Sequence, residues 1–165
     1  MLTANMAPIK KRDRPRHRLY ASVANRAHHA CEYCLAPEEV AVKEFQVEHI
    51  VPRARGGSDD LANLALACPR CNPSKWATQE ALDPQTQTRV PLFNPRRDSW
   101  DECLTFELHP ADQRIRIEGR TATGRATVEC LRMNAAHATR ARWKWFFYDA
   151  LEVLFHGATG RDRNV

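Results

Sequence analysis

The chain has 165 residues, of which 43% are hydrophobic, and its formal net charge is +5. This composition suits one folded domain with a modest core, or a small domain with an appendage, and excludes an intrinsically disordered chain. No apolar run approaches the roughly 20 residues that a membrane span needs, so we expect no membrane partner. The first residues lack the apolar middle of a signal peptide, which predicts a cytoplasmic protein with reduced cysteines.

A basic segment near the start carries most of the charge. Residues 10–18 hold six lysines and arginines and one aspartate, a net +5 within this segment alone. We expect residues 1–18 to form a disordered arm. Such an arm can neutralise phosphates and steer the protein towards nucleic acid. A solvated tail is the other interpretation.

Two Cys-x-x-Cys pairs, Cys31/Cys34 and Cys68/Cys71, follow a predicted short helix over residues 19–30. Four thiolates in two close pairs are the ligands of a tetrahedral zinc site, and they would clamp the segment between them as a loop. Histidines at positions 28 and 29 stand beside the first pair, but the cysteines already fill the four positions. A thiol redox protein uses the same motif and needs an exposed, reactive pair.

The segment between the cysteine pairs predicts a strand, a loop and a second strand. Residues 44–51 read as a strand that Pro52 closes, because proline cannot donate to a ladder. Residues 53–60 contain Gly-Gly and Asp-Asp and read as a loop. Residues 61–67 are short and apolar, which predicts a turn and then a strand.

Asn72 and Pro73 predict the start of a helix directly behind the second cysteine pair. Asparagine is a preferred N-cap, and proline fits the first helical position. The helix would run to about Leu82 and stop before Asp83-Pro84, because the residue before proline disfavours helical geometry.

The remainder of the chain, from about residue 90, predicts a β-hairpin and two helices. Alternating apolar residues at 104–108 and 115–117 indicate the hairpin, and the helices are expected over 124–133 and 138–155. Trp145 lies off the apolar stripe of the last helix. This helix therefore has more apolar surface than one face can hide, so a second copy of the chain is one expected partner.

Glu48, His49 and Asn72 offer the groups that phosphodiester hydrolysis needs. Neutral imidazole can accept a proton from water near neutral pH, so His49 suits a general base. Carboxylate and amide oxygens suit Mg²⁺, so Glu48 and Asn72 are candidate ligands. Neighbours on a straight strand point to opposite faces, so Glu48 and His49 share one site only if the chain bends there.

The segment from Phe45 to Lys75, FQVEHIVPRARGGSDDLANLALACPRCNPSK, closely resembles the HNH endonuclease family. The shared pattern is an acidic-His-Ile-x-Pro strand, a Gly-Gly loop, an Asn-Leu pair, and a Cys-x-x-Cys followed by His or Asn. Thirteen residues separate His49 from Asn63 and eight separate Asn63 from Asn72, as in the family. Residues 91–96 and 119–134 look, more weakly, like the C-terminal extension of stand-alone bacterial members.

The resemblance implies an α+β fold: a small zinc-stabilised ββα-metal finger with an N-terminal helix and a C-terminal hairpin plus helices. It implies that His49 is the general base and that Asn63 orients the catalytic loop. It implies that Glu48 and Asn72 bind the catalytic Mg²⁺ or Mn²⁺, although Asn72 replaces the last histidine and Glu48 the commoner aspartate. The structural Zn²⁺ ligands would be Cys31, Cys34, Cys68 and Cys71.

The resulting division of the chain is an arm at 1–18, a nuclease domain at 19–85, an extension at 90–157 packed on it, and a loose tail at 158–165. We expect a metal-dependent endonuclease that hydrolyses DNA, with RNA as another substrate. A zinc-stabilised DNA- or RNA-binding module without activity is the rival. The candidate phosphate contacts are basic residues in or beside the finger: Arg53, Arg55, Arg70 and Lys75.

Overall fold

The computed structural model describes residues 17–41 and 43–147, with only the backbone of Phe146 and Phe147. Most of the expected arm, the tail at 158–165 and the last helix beyond residue 147 lie outside the described residues. The described helices are α1 (Tyr20–Arg26), α2 (Cys71–Lys75), α3 (Trp100–Cys103), α4 (Ala122–Cys130) and α5 (Ala136–Phe147). The strands are β1 (Gln46–His49), β2 (Leu64–Ala67), β3 (Glu80–Leu82), β4 (Arg89–Pro91), β5 (Leu104–His109) and β6 (Arg114–Gly119). None of the described helices is long and apolar enough to cross a membrane.

The two strands of the finger, β1 and β2, pair antiparallel as the sequence predicts. Gln46 lies opposite Ala67 and His49 lies opposite Leu64. All four residues of β2 are buried, whereas only Glu48 of β1 is. The helix α1 contacts both strands. Arg26 at its end donates to the carbonyl of Leu64 at 2.6 Å, which fixes the helix against β2.

The helix behind the second cysteine pair is much shorter than predicted. It ends at Lys75, because Trp76 has a φ of 45° and a ψ of −128°, outside the helical region. Its N-cap is Arg70, so Asn72 lies inside the helix and is not its cap. Residues that we expected in the second half of this helix form β3, which pairs antiparallel with β4. The expectation of a helix to Leu82 was wrong, because tertiary pairing overrides a local propensity.

The hairpin and the helices of the C-terminal region form as predicted, with shifted ends. β5 pairs with β6 from Leu104 opposite Gly119 to His109 opposite Arg114. The side chain of Asn134 makes two hydrogen bonds to the backbone of β6. Its Oδ1 accepts from the Ile117 amide at 2.9 Å, and its Nδ2 donates to the Ile117 carbonyl at 2.8 Å. Both α4 and α5 contact β6.

One hydrophobic cluster contains residues of the finger and of the C-terminal region. Its members include Leu66 of β2, Leu104 of β5 and Leu131 behind α4. Polar contacts join the same two parts. Trp100 donates its indole N–H to the Tyr33 carbonyl at 3.0 Å. The Arg96 guanidinium pairs with the buried Glu32 carboxylate. The finger is therefore held by the rest of the chain as well as by its own cysteines.

Candidate nuclease site

The four paired cysteines converge on one point. Their Sγ atoms all lie within 4.8 Å of one another, and all four residues are buried. The Cys34 and Cys68 sulfurs are 3.7 Å apart. Tetrahedral zinc with Zn–S bonds of about 2.3 Å requires sulfurs about 3.8 Å apart. The four residues are Cys31, Cys34, Cys68 and Cys71, the set expected from the sequence.

The burial of these thiols argues against redox chemistry. An exchange reaction needs an accessible thiolate, and Cys31 and Cys71 are fully buried. Burial also raises the pKa of the Cys31 thiol well above its usual value. Buried thiols lose their protons only beside a cation that compensates the charge of the thiolates, so this group suits a bound metal ion and not thiol exchange.

His49 stands at the end of β1 beside the loop that follows it. Its Nε2 lies 2.7 Å from Oδ1 of Asp59, and its side chain is 17% exposed. Arg53 donates to both carboxylate oxygens of Asp59, with 2.6 Å from Nη2 to each. The Arg53 guanidinium holds the pKa of Asp59 at about 2, with a smaller contribution from the His49 contact. The carboxylate is therefore ionised at neutral pH.

The Asp59 contact selects the tautomer of the imidazole. An ionised carboxylate only accepts hydrogen bonds, so the short contact places a proton on Nε2 of His49. The Arg53 Nε also lies 3.2 Å from His49 Nε2. Its N–H donates instead to Asp59 Oδ1, which is closer at 2.8 Å and is charged. Nδ1 then carries the lone pair and forms no hydrogen bond among the described residues. An imidazole oriented by a carboxylate is the arrangement of a general base.

Asn63 fastens the loop that carries Asp59. Its Oδ1 accepts from the Val51 amide at 2.8 Å. Its Nδ2 donates to the carbonyls of Val51 at 3.0 Å and Ser58 at 2.9 Å. Gly57 packs against the same groups: a Cβ there would come within 1.7 Å of the Val51 oxygen and 2.8 Å of the Asn63 amide nitrogen. Asn63 thus makes the hydrogen bonds that a loop-orienting residue requires.

Glu48 points away from this loop, into the protein. Its carboxylate accepts from Lys75 Nζ at 2.6 Å and from the Tyr33 hydroxyl at 2.6 Å. Lys75 also donates to the carbonyls of His49 at 3.2 Å and Ile50 at 3.0 Å, so its ammonium has three acceptors. Burial raises the pKa of Glu48, and the nearby Lys75 ammonium opposes that shift.

Asn72 lies on the same side of β1 as Glu48. Its Nδ2 donates to Oε1 of Gln46 at 2.5 Å. Gln46 and Glu48 are two positions apart on β1, so their side chains share one face of the strand. Asn72 and Lys75 are three positions apart on α2, so they are neighbours on one face of the helix. Carboxylate and amide oxygens are the right donors for Mg²⁺. The Glu48 carboxylate, however, already holds an ammonium, so a divalent cation fits only if Lys75 moves.

Two expectations about these residues need correction. Lys75 is not a surface phosphate contact, because its side chain is 2% exposed and is neutralised by Glu48. The bend that would bring Glu48 and His49 to one site is absent: their side chains contact different residues, as strand alternation dictates. Arg53 and Arg55 are exposed and Arg70 is half-buried. Arg53 faces Asp59, whereas Arg55 has no ion pair in the described part of the chain.

Asp59, Tyr33 and His17 were missed from the sequence. In the sequence Asp59 has only the features of a turn residue, and nothing local distinguishes it from Asp60. Tyr33 sits between the first two cysteines, where a buried phenol beside a carboxylate cannot be foreseen. His17 belongs to the basic arm in the sequence, yet the centroid of its ring lies 6.1 Å from that of the His49 ring, edge to face. These contacts all join segments that are distant in sequence.

Comparison with known proteins supports the resemblance over the finger. A family model described as HNH endonuclease matches residues 31–77. The CRISPR-associated endonuclease Cas9 of Corynebacterium diphtheriae is 39% identical over 64 residues, which are 38% of this chain and 6% of that protein. No solved structure matches this chain. The segment 31–77 of this chain therefore matches the HNH endonuclease family, and its clustered cysteines and paired strands agree with that match.

Proposed function

We propose that this protein is a metal-dependent endonuclease that hydrolyses phosphodiester bonds in DNA. The observation that carries the proposal is the His49–Asp59 pair, which lies within the matched segment 31–77. It leaves one imidazole nitrogen free to take a proton, at the partly exposed end of β1. Asn63 holds the loop that carries the pair, so the base is preorganised.

His49 acts as the general base. Nδ1 removes a proton from the water that attacks phosphorus, while Nε2–H remains bonded to Asp59. The carboxylate stabilises the imidazolium that forms and keeps the ring oriented. In-line attack puts the water and the leaving oxygen on opposite sides of phosphorus.

Glu48 and Asn72 are the residues that would hold the catalytic ion, once the Lys75 ammonium has left the Glu48 carboxylate. Mg²⁺ or Mn²⁺ bound there would supply positive charge to the phosphate oxygens and the leaving oxygen. In its absence Lys75 neutralises Glu48, so the buried carboxylate is never left unpaired. Tyr33 donates to the other carboxylate oxygen and fixes its orientation. Zn²⁺ at the four cysteines is structural in this proposal, because four thiolates leave no open position.

The DNA backbone would be held by basic residues around His49. Arg55 is exposed in the loop that follows β1, and Arg70 lies between Cys68 and Cys71. The basic segment at 10–18, which includes His17, adds charge shortly before α1. Such contacts bind phosphates without reading the base sequence.

The test is cleavage of supercoiled plasmid with Mg²⁺ or Mn²⁺, comparing the wild type with His49→Ala. Loss of the general base should slow cleavage by about 10²–10⁴-fold. His109→Ala, in the distant hairpin β5–β6, is the matched control and should cleave like the wild type. Equal cleavage by wild type and His49→Ala would reject the base. Tight plasmid binding without any cleavage would favour the rival, a non-catalytic nucleic-acid-binding module.

A further inference from the structure

We propose that His17, His49 and Asp59 form a second metal site, which takes a Zn²⁺-class transition ion and thereby blocks the general base. One ligand atom from each of these residues lies within 4.8 Å of the others. The cluster is separate from the four cysteines and from Glu48 and Asn72. The inference rests on the proposed function only for its inhibitory consequence, since the ion binding itself needs no nuclease activity.

The three side chains reach this point from three parts of the chain. His17 directly precedes α1, and its backbone carbonyl accepts from the Tyr20 amide at 2.8 Å. The Leu19 amide also donates to His17 Nδ1 at 3.2 Å, so the residue is anchored by the start of the helix. His49 ends β1, and Asp59 lies in the loop fastened by Asn63. All three are partly buried, which limits the freedom that binding would remove.

The donor set selects the class of ion. Two imidazoles and one carboxylate suit zinc, iron, nickel and copper, whereas Mg²⁺ prefers oxygen ligands only. Tetrahedral zinc with bonds of about 2.0–2.1 Å needs ligand atoms about 3.3 Å apart. The ligand atoms now lie at most 4.8 Å apart, so the two most separated atoms must approach each other by at most about 1.5 Å. Rotation of the side chains can supply this movement.

A cationic group already occupies the space beside these ligands. The Arg53 guanidinium lies 3.2 Å from His49 Nε2 and 2.8 Å from Asp59 Oδ1. Its side chain is 61% exposed, so it can swing into solvent at little cost. A divalent ion would replace Arg53 and keep Asp59 neutralised. When the metal ion replaces the Arg53 guanidinium, the Asp59 carboxylate therefore keeps a positive partner.

Occupation of the site would stop proton transfer by His49. A neutral imidazole that binds a metal ion through one nitrogen carries its hydrogen on the other, so neither nitrogen has a lone pair left to accept a proton from water. The Asp59 carboxylate, which otherwise stabilises the imidazolium, becomes a ligand. Cleavage supported by Mg²⁺ should thus fall as zinc rises above the amount that the four cysteines hold.

The direct test is calorimetric titration of the full chain, purified with its cysteine site filled, with ZnCl₂. Wild type should show one further binding event per chain. His17→Ala should weaken it by at least about tenfold, since even outer-sphere partners of metal ligands contribute about 10–100-fold. Asp59→Asn is the second variant and should weaken it similarly. His109→Ala should not change it.

Histidine ring resonances in a titration with paramagnetic Co²⁺ locate the ion. His17 and His49 should broaden together and before His109. Absence of a further binding event, full-strength binding by His17→Ala, or broadening of His49 without His17 would each overturn the site.

Zinc inhibition of plasmid cleavage in Mg²⁺ supplies the functional arm. Each variant is normalised to its own activity without added zinc. His17→Ala should need at least about tenfold more zinc than the wild type for half inhibition. Equal sensitivity would reject the inhibitory role. If the protein cuts no DNA, the nuclease proposal fails, whereas calorimetry and resonance broadening still decide the metal site.

Discussion

Lys75 Nζ lies 2.6 Å from Glu48 Oε1, and the two side chains are only 2% and 4% exposed. Each ion neutralises the other where neither could be solvated by water. Tyr33 donates to the second Glu48 oxygen, so this ion pair joins α2 and β1 to the first cysteine pair. The residue expected to bind a catalytic metal is thus part of the core of the finger.

Lys75→Met should destabilise the fold by about 3–5 kcal/mol, because it leaves the Glu48 carboxylate buried without its cation. Adding Glu48→Gln in the same chain should recover most of this loss, since a neutral amide is cheaper to bury than an unpaired carboxylate. Urea unfolding at pH 7 with the cysteine site filled measures both. No recovery in the double variant would mean that Lys75 acts through its bonds to the His49 and Ile50 carbonyls.

Gly57→Ala should be more damaging than Gly56→Ala, although the two residues are adjacent. Gly57 has no room, because its Cβ would come within 1.7 Å of the Val51 oxygen. Gly56 has a φ of 83° and nothing within 4 Å, so alanine there costs only the left-handed conformation, about 1–2 kcal/mol. Thermal unfolding of the two variants gives the comparison. A milder effect at Gly57 would contradict the close packing of this loop.

Asp59 should stay ionised far below the usual range of aspartate. Its pKa of about 2 in the folded state lies below the unfolded value of about 3.9. Ionised Asp59 therefore contributes stability above about pH 4, and this is lost as the pH falls towards 2. Carboxyl-carbon resonances should show no Asp59 titration between pH 7 and about 4.

Arg53→Gln is the matched variant for this measurement, because Arg53 makes the largest contribution to lowering the pKa. The Asp59 titration should move upwards in Arg53→Gln and remain where it is in Arg89→Gln. A residue-level signal is needed, since acid also protonates the four cysteines and releases their metal. An Asp59 titration near 4 in the wild type would contradict the ion pair.

Removal of metal from the four cysteines should unfold the finger. The finger has two four-residue strands and a five-residue α2, too little structure to bury a core without a staple. Chelation, or Cys31→Ser, should reduce far-ultraviolet circular dichroism and bound zinc together. Cys103→Ser, outside the cluster, is the control and should retain the zinc content of the wild type. Zinc-free protein with an unchanged spectrum would reject the structural role.

Arg53→Gln/Arg55→Gln should weaken DNA binding and flatten its salt dependence. Each lost phosphate contact should reduce the slope of log K against log salt by about 0.9. The control is Arg89→Gln/Arg116→Gln, a double variant of the same charge in which both arginines are exposed, one in β4 and one in β6. Fluorescence anisotropy of a labelled duplex at several salt concentrations gives both slopes. Equal slopes in the two double variants would mean that the loss of net charge weakens binding, and would reject Arg53 and Arg55 as specific phosphate contacts.

The cysteine cluster and the β1–β2 pair could be predicted because their signals are local. Ligand spacing within each Cys-x-x-Cys pair identifies a metal knuckle, and alternating or continuous apolar residues identify strands. The hairpin β5–β6 followed from the same alternation. The strands β3 and β4 were missed because each has three residues, which is too short for a period to show.

Residue type alone determined which side chains were candidates: His49 as base, Glu48 and Asn72 as oxygen donors, and four cysteines as thiolate ligands. The tertiary structure decided where they point and what pairs with them. Glu48 and Lys75 are 27 positions apart in the sequence. Their ion pair exists only because α2 packs on β1. His17 and Asp59 likewise meet His49 through the placement of α1 and a loop. Burial and charge pairing depend on the packed chain, so spacing in the sequence could not reveal them.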